Sequence, residues 1–269
     1  MVIMNFGLID THCHLDIIEK EGLAIEETLT LSRDSGVQKI VQIGINHSTS
    51  VFARELSEKT NPIDIHFTVG CHPADQISEV EQSQIDSEID KSQNNPGFVG
   101  IGEIGLDYFH GANSREDQRK VFEKYLSRSI EISAPVVIHS RDAAEDTVSI
   151  LSSFPRAFGV MHCFTYDYTL AKKFVDLGYY ISFSGIVTFK SAKDIMEAAE
   201  KLPLESILIE TDAPFLAPAP FRGKRNDPTK LKHIFEKLVE LRSESDERIA
   251  EQLLLNSNNF IKKIGLAHA

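Results

Sequence analysis

Short apolar runs separated by amphipathic stretches recur along the whole chain. Eight of these runs read as strands: Leu8–Thr11, Lys39–Gly44, Ile65–Gly70, Phe98–Gly102, Val136–Ile138, Gly159–Met161, Tyr180–Phe183 and Ile207–Glu210. Between them the apolar spacing turns helical. The clearest case is Arg115–Ile132, with Val121, Phe122, Tyr125, Leu126 and Ile130 along one side. Glu247–Ile264 behaves the same way, with Ile249, Leu253, Phe260 and Ile264 in register. Eight β/α units on 269 residues predict an α/β fold, a single-domain (β/α)8 barrel spanning residues 1–269. A doubly wound open sheet is the alternative. No linker, low-complexity segment or strong repeat divides the chain. The proline-rich stretch Ala213–Pro228 falls between the eighth strand and the next helix, and reads as a long functional loop rather than a boundary.

Composition narrows the class without changing the fold. With 42% hydrophobic and 25% charged residues, the chain is that of an ordinary soluble globular protein. No apolar stretch is long enough to span a membrane. The start, MVIMNFGLID, has no basic leader region and no cleavage-like site, so a cytoplasmic location is expected. The three cysteines, Cys13, Cys71 and Cys163, are too few and too far apart for a disulfide framework. Each adjoins a histidine. If those histidines end strands and face inward, the thiols face a surrounding helix layer as small packing groups; zinc ligation is the alternative. The net charge of −12 argues against a broad basic surface that tracks duplex DNA. It leaves room for a phosphate that enters a local pocket, where bound cations would set the field.

Candidate chemistry gathers at the predicted strand ends. In a (β/α)8 barrel the active site lies at the C-terminal ends of the strands. The first strand runs into His12-Cys13-His14, where strand alternation points both imidazoles to one face. Alone, this HxH reads equally well as a surface pair. The third strand, however, runs into His72, the fourth into Glu103, the fifth into His139, the sixth into His162 and the eighth into Glu210-Thr211-Asp212. Four histidines, one glutamate and one aspartate suit two divalent ions, with magnesium, manganese and zinc all open. Glu103 is the natural bridging group, because its two oxygens can serve two ions and no lysine ends a strand there. Asp10 and Glu210 precede His12 and Asp212 by two residues. They are expected to stand behind the ligands, orienting an imidazole or a water, with a direct catalytic role for Glu210 as the alternative.

With these residues in place, the chain resembles the TatD family of metal-dependent hydrolases, within the amidohydrolase-like barrels. The matching segments run in order from Leu8 to Pro228: LIDTHCHLD, GCHP, GEIGLDY, PVVIHSRDA, HCFT, GYYISFSGIVTFK, ETDAPFLAP and RGKRNDP. The C-terminal helix with Asn256 and Phe260 also fits. The resemblance implies a TIM-type barrel with a two-metal centre and deoxyribonuclease activity. It places His12, His14 and Asp212 on one ion, His139 and His162 on the other, and Glu103 between them. It gives His72 a contact to the substrate phosphate. The family's pattern has a second histidine where this chain has Ala74, and glutamate where this chain has Asp227.

Two ions about 3.5–4 Å apart lower the pKa of a water that attacks phosphorus, and Asp212 can take its proton. Glu103 and Asp212 are therefore the expected catalytic residues. Arg222, Lys224 and Arg225 form the one local basic cluster. Arg222 is the candidate phosphate holder, with a salt bridge to Asp227 as the alternative; Arg141 and Lys190 are further candidates. The expected partners are DNA ends or another phosphate-bearing substrate, with no membrane and no obligate protein partner. The same ligands would serve a deacylase of D-aminoacyl-tRNA or another ester or amide hydrolase, and a non-catalytic metal-binding scaffold is a third reading.

Overall fold

A computed structural model describes residues 7–75 and 78–266. Residues 1–6, on which the leader reading partly rests, lie outside the described residues. Eight strands form one parallel sheet in the order β1 to β8: β1 Leu8–Cys13, β2 Val37–Gln42, β3 Asp64–Val69, β4 Phe98–Asp107, β5 Val136–Arg141, β6 Gly159–Met161, β7 Tyr179–Phe183 and β8 Ile207–Ile209. The chain just past β8 closes the barrel against β1. Asp212 N donates to His12 O (2.9 Å), His14 N donates to Ala213 O (2.8 Å), and Cys13 bridges Ala213 in parallel register. The predicted barrel is therefore the fold, and the open sheet is excluded. No helix of the described residues is long and apolar enough to cross a membrane.

Ten α-helices wrap the described barrel: α1 Leu15–Lys20, α2 Ile25–Asp34, α3 His47–Ser57, α4 Glu79–Ser92, α5 Arg115–Glu131, α6 Ala144–Ser152, α7 Tyr168–Asp176, α8 Lys193–Lys201, α9 Leu231–Leu241 and α10 Asp246–Ile261. Alternation along the strands divides the apolar residues into two cores. Ile9, Val41, Val99, Val137, Val160, Tyr180 and Leu208 fill the barrel, joined by Phe260 and Ile261 of α10. Ile40, Phe67, Ile138, Ile181 and Ile207 face outward and pack with helix residues such as Leu29, Ile85, Phe122 and Phe174. Cys13 and Cys71 belong to that outer core, as expected. Cys163 does not. It takes a left-handed backbone conformation (φ 43°) after β6, which breaks the alternation, and its half-buried Sγ lies 3.2 Å from Ser184 Oγ.

Three strands end later than the sequence pattern suggested: β1 reaches Cys13 rather than Thr11, and two others extend further still. β4 continues past Gly102 to Asp107, and β5 continues past Ile138 to Arg141. A register irregularity between Ile101 and Ile104 resets the alternation of β4, after which Gly105 pairs with His139 and Asp107 with Arg141. Gly105 is what permits this approach: its φ is +140°, and a Cβ there would lie 2.0 Å from His139 O. Glu103 and His139 therefore stand inside paired strands rather than beyond their ends. α10 stops before the predicted Ile264, which is exposed, because Lys263 turns left-handed (φ 62°).

Candidate metal centre

The imidazoles and carboxylates predicted from the strand ends converge at the C-terminal mouth of the barrel. Glu103 lies at their centre, buried, with its two oxygens serving different neighbours. Oε1 is 2.7 Å from His162 Nε2, 2.9 Å from His139 Nδ1 and 3.3 Å from His72 Nε2. Oε2 is 3.4 Å from His12 Nε2. On that second side His12 Nε2 faces His14 Nε2 at 3.1 Å, and Asp212 Oδ1 lies 3.6 Å and 3.5 Å from these two nitrogens. Asp212 adopts a left-handed conformation (φ 54°), tolerated by aspartate, as the chain leaves β8.

Hydrogen bonding alone does not account for this cluster. An imidazole nitrogen carries at most one proton, yet His12 Nε2 meets three electron-rich neighbours at 3.1–3.6 Å. Metal–nitrogen bonds of about 2.0–2.1 Å in tetrahedral geometry place donor atoms about 3.3 Å apart, close to these separations. Three donor groups, each with ligand atoms within 4.8 Å of one another, fit an ion: His12/His162/Asp212, His12/His14/Glu103 and His72/Glu103/His139. Among the described residues no such group contains a cysteine.

Outer contacts fix the rings. His139 Nε2 lies 3.0 Å from Asp107 Oδ2, and the other Asp107 oxygen accepts Phe109 N (2.9 Å) and His110 N (2.6 Å). His162 Nδ1 lies 3.3 Å from Glu210 Oε1, which also accepts Cys163 N at 2.6 Å. Glu210 Oε2 is buried without a hydrogen-bond partner among the described residues. Asp10 sits differently from expectation. Its carboxylate accepts Thr211 N (2.9 Å), the Thr211 hydroxyl (2.5 Å) and His12 N (3.3 Å), so it braces β1 against the chain after β8 rather than touching a ring.

The electrostatics follow from burial and mutual contact. Burial pushes the Glu103 carboxyl up, but the imidazoles of His162 and His72 outweigh it and hold it well below the usual range. Burial likewise opposes charge on His162, His139 and His14. Glu103 nevertheless holds His162 well above an ordinary imidazole, Asp107 raises His139, and Asp212 raises His14. His12 goes the other way, lowered by burial and by the neighbouring His162. Burial lifts Asp10 to about 7.

The basic residues stand apart from this cluster. Arg222 and Lys224 are exposed on the loop after β8, and Arg225 pairs with Glu21 at 3.6 Å. Arg222 lies over the Phe189 ring at 4.6 Å; Asp227, its alternative partner, is taken by Lys230 and Thr229. Lys190 is exposed, and Arg141 lies over Phe109 at 4.4 Å. Two buried polar residues escaped the sequence reading. Asp107 stands four residues after Glu103, a spacing that becomes visible once β4 is known to continue. Asn226 donates to Thr211 O (2.8 Å) and Phe215 O (2.7 Å), tying down the loop that follows Asp212.

A parallel barrel whose mouth gathers histidines around a buried carboxylate is the architecture of a metal-dependent hydrolase. The family model described as TatD related DNase matches residues 9–262. YabD of Bacillus subtilis (strain 168), described as an uncharacterised metal-dependent hydrolase, is 36% identical over 257 residues, covering 95% of this chain and 99% of its own. YcfH of Escherichia coli (strain K12), described in the same words, is 34% identical over 260 residues, covering 95% and 94%. The crystal structure of YjjV, a TatD homologue from Escherichia coli K12, aligns with a TM-score of 0.86 at 30% identity, covering 97% of this chain and 98% of its own. The chain belongs to the TatD family of metal-dependent hydrolases.

Proposed function

We propose that this protein hydrolyses phosphodiester bonds at DNA ends with two divalent ions. The observation that carries the reading is the division of labour at Glu103. Oε1 faces His139, His162 and His72, whereas Oε2 faces His12, beside His14 and Asp212. This suits a carboxylate shared between His12, His14 and Asp212 on one side and His139 and His162 on the other. When bound, the ions supply charge neutralisation at the phosphoryl oxygens and acidify a water. Asp212, 8% exposed, is the base at the mouth. It takes the proton of the attacking water as the new oxygen–phosphorus bond forms and the bond to the leaving oxygen breaks. His72, less buried than Glu103, would hold a non-bridging phosphate oxygen. Glu210 and Asp107 keep the rings of His162 and His139 in fixed orientations. Arg222, free of carboxylate partners among the described residues, is available to a more distant phosphate.

The test is turnover of three substrates by purified protein supplied with magnesium, manganese or zinc: single-stranded DNA, a D-aminoacyl-tRNA and a chromogenic phosphodiester. Release of nucleotides from DNA, abolished by a chelator, is expected. Cleavage of the aminoacyl ester with intact DNA would replace the reading with a deacylase. Metal binding without turnover of any substrate would replace it with a scaffold.

A further inference from the structure

Among the described residues two phenylalanines are conspicuously exposed, Phe109 at 61% and Phe215 at 49%; the other large exposed apolar side chains are aliphatic. Both lie beside the donor cluster. Phe215 follows Asp212 by three residues, donates its N–H to Asp212 O (2.9 Å), and meets the His14 ring edge-on with centroids 6.0 Å apart. Its carbonyl is held by Asn226 at 2.7 Å. On the other side, the Phe109 N–H is held by Asp107, the carboxylate behind His139. The Arg141 guanidinium lies 4.4 Å over the Phe109 ring and has no carboxylate partner among the described residues. Asp107 and Asn226 thus fix both backbones, and each ring is held exposed beside the donors.

We propose that Phe109, with Arg141, and Phe215 are platforms on which unpaired bases stack on either side of the bond that is cut. This deepens the phosphodiesterase reading and rests on it. The net charge of −12 denies the chain the phosphate-tracking surface that usually holds nucleic acid, so the grip has to come from another source. Aromatic faces supply it without regard to base identity, and an arginine stacked on one of them adds cation–π attraction and a counter-charge for the adjacent phosphate. Bases within a duplex are already stacked on each other and gain nothing from these rings. The platforms therefore select a single-stranded or frayed end.

The experiment measures binding and turnover separately. Anisotropy of a labelled oligothymidylate, in chelator, is compared with that of an abasic strand of equal length. The proteins are the wild type and the Phe109→Leu, Phe215→Leu, Phe109→Tyr and Phe215→Tyr variants. Each leucine change should weaken the base-bearing strand by about 5- to 150-fold, and weaken it more than the abasic strand. The tyrosine variants, which keep the ring, should retain binding. Leucine variants that bind oligothymidylate like the wild type, or that lose both strands equally, overturn the proposal. Steady-state turnover of the same oligothymidylate separates the two ideas. If the wild type cleaves it and KM is unmoved in the leucine variants, the platforms fail and the reaction stands. If the wild type cleaves nothing but the binding loss appears, the platforms stand and the reaction fails.

Discussion

Replacing Asp107 with asparagine removes one charge and almost no volume, so its effect on the metal centre is open to calculation. The carboxylate meets three N–H groups: His139 Nε2 at 3.0 Å, Phe109 N at 2.9 Å and His110 N at 2.6 Å. A carboxylate only accepts, so it keeps a proton on His139 Nε2 and leaves Nδ1, 2.9 Å from Glu103, as the atom that offers a lone pair to an ion. Asparagine keeps one oxygen for the two backbone groups and turns its amide N–H toward the ring. Nε2 then accepts, the proton moves to Nδ1, and the face toward Glu103 loses its lone pair. Partners of this kind are worth about 10–100-fold in metal affinity, or about 1.4–2.7 kcal/mol. Calorimetric titration of manganese or zinc into metal-free protein reads this directly. Asp107→Ala, which also strips the acceptor from Phe109 and His110, should lose metal-free stability as well, whereas Asp107→Asn should lose chiefly affinity. Wild-type affinity in Asp107→Asn would refute the tautomer argument.

Three further outcomes follow from the same geometry. Glu103→Gln, which keeps the shape but offers each side a weaker or wrong group, should lower kcat by at least about 10²–10³-fold while the circular dichroism spectrum is preserved; activity near wild type would sink the shared-carboxylate mechanism. His14, His139 and His162 are held above the ordinary imidazole value in the metal-free protein, and ions bind only the free base, so metal binding releases protons. Apparent affinity should then fall as pH drops through those raised values and level off above them, and binding heats should differ between buffers of unlike ionisation enthalpy. Gly105→Ala, with φ +140° and a Cβ 2.0 Å from His139 O, should cost at least about 2 kcal/mol and lower the melting temperature by roughly 5 °C, measured by thermal unfolding without metal.

The barrel was legible because each strand is a short apolar run whose boundaries are marked by a change of periodicity. Where the marker was a glycine, the reading stopped early. Gly102 and Gly105 look like strand breakers, but here they let β4 lie close against β5, and the strand continues through them to Asp107. The candidate ligands His12, Glu103, His139, His162 and Asp212 were visible because each follows an apolar run, and the topology puts such positions at one mouth. Asp10 shows the limit of spacing. Two residues before His12 on a regular strand it would share the ring's face, but the register irregularity between Asp10 and Cys13 in β1 breaks the alternation, and its carboxylate goes to Thr211 instead. The contacts of Asn226 depend on how the loop after β8 folds back on itself, and no local pattern carries that.

The seam of the barrel has a bearing on how the protein is made. Asp10 and Thr211, joined across it, are 201 residues apart in the chain, and the adjoining His12–Asp212 backbone bond brings the first donor beside the last. Contacts of such long sequence separation form late, because the intervening chain has to be ordered first. A nascent chain thus carries His12 and His14 through most of its synthesis without the partner that completes their side of the cluster. Of the three donor groups only His12/His162/Asp212 needs a residue from beyond the eighth strand, so filling of that group would wait for closure of the barrel. A chain cut short before that strand would forfeit the closed seam and that donor group together.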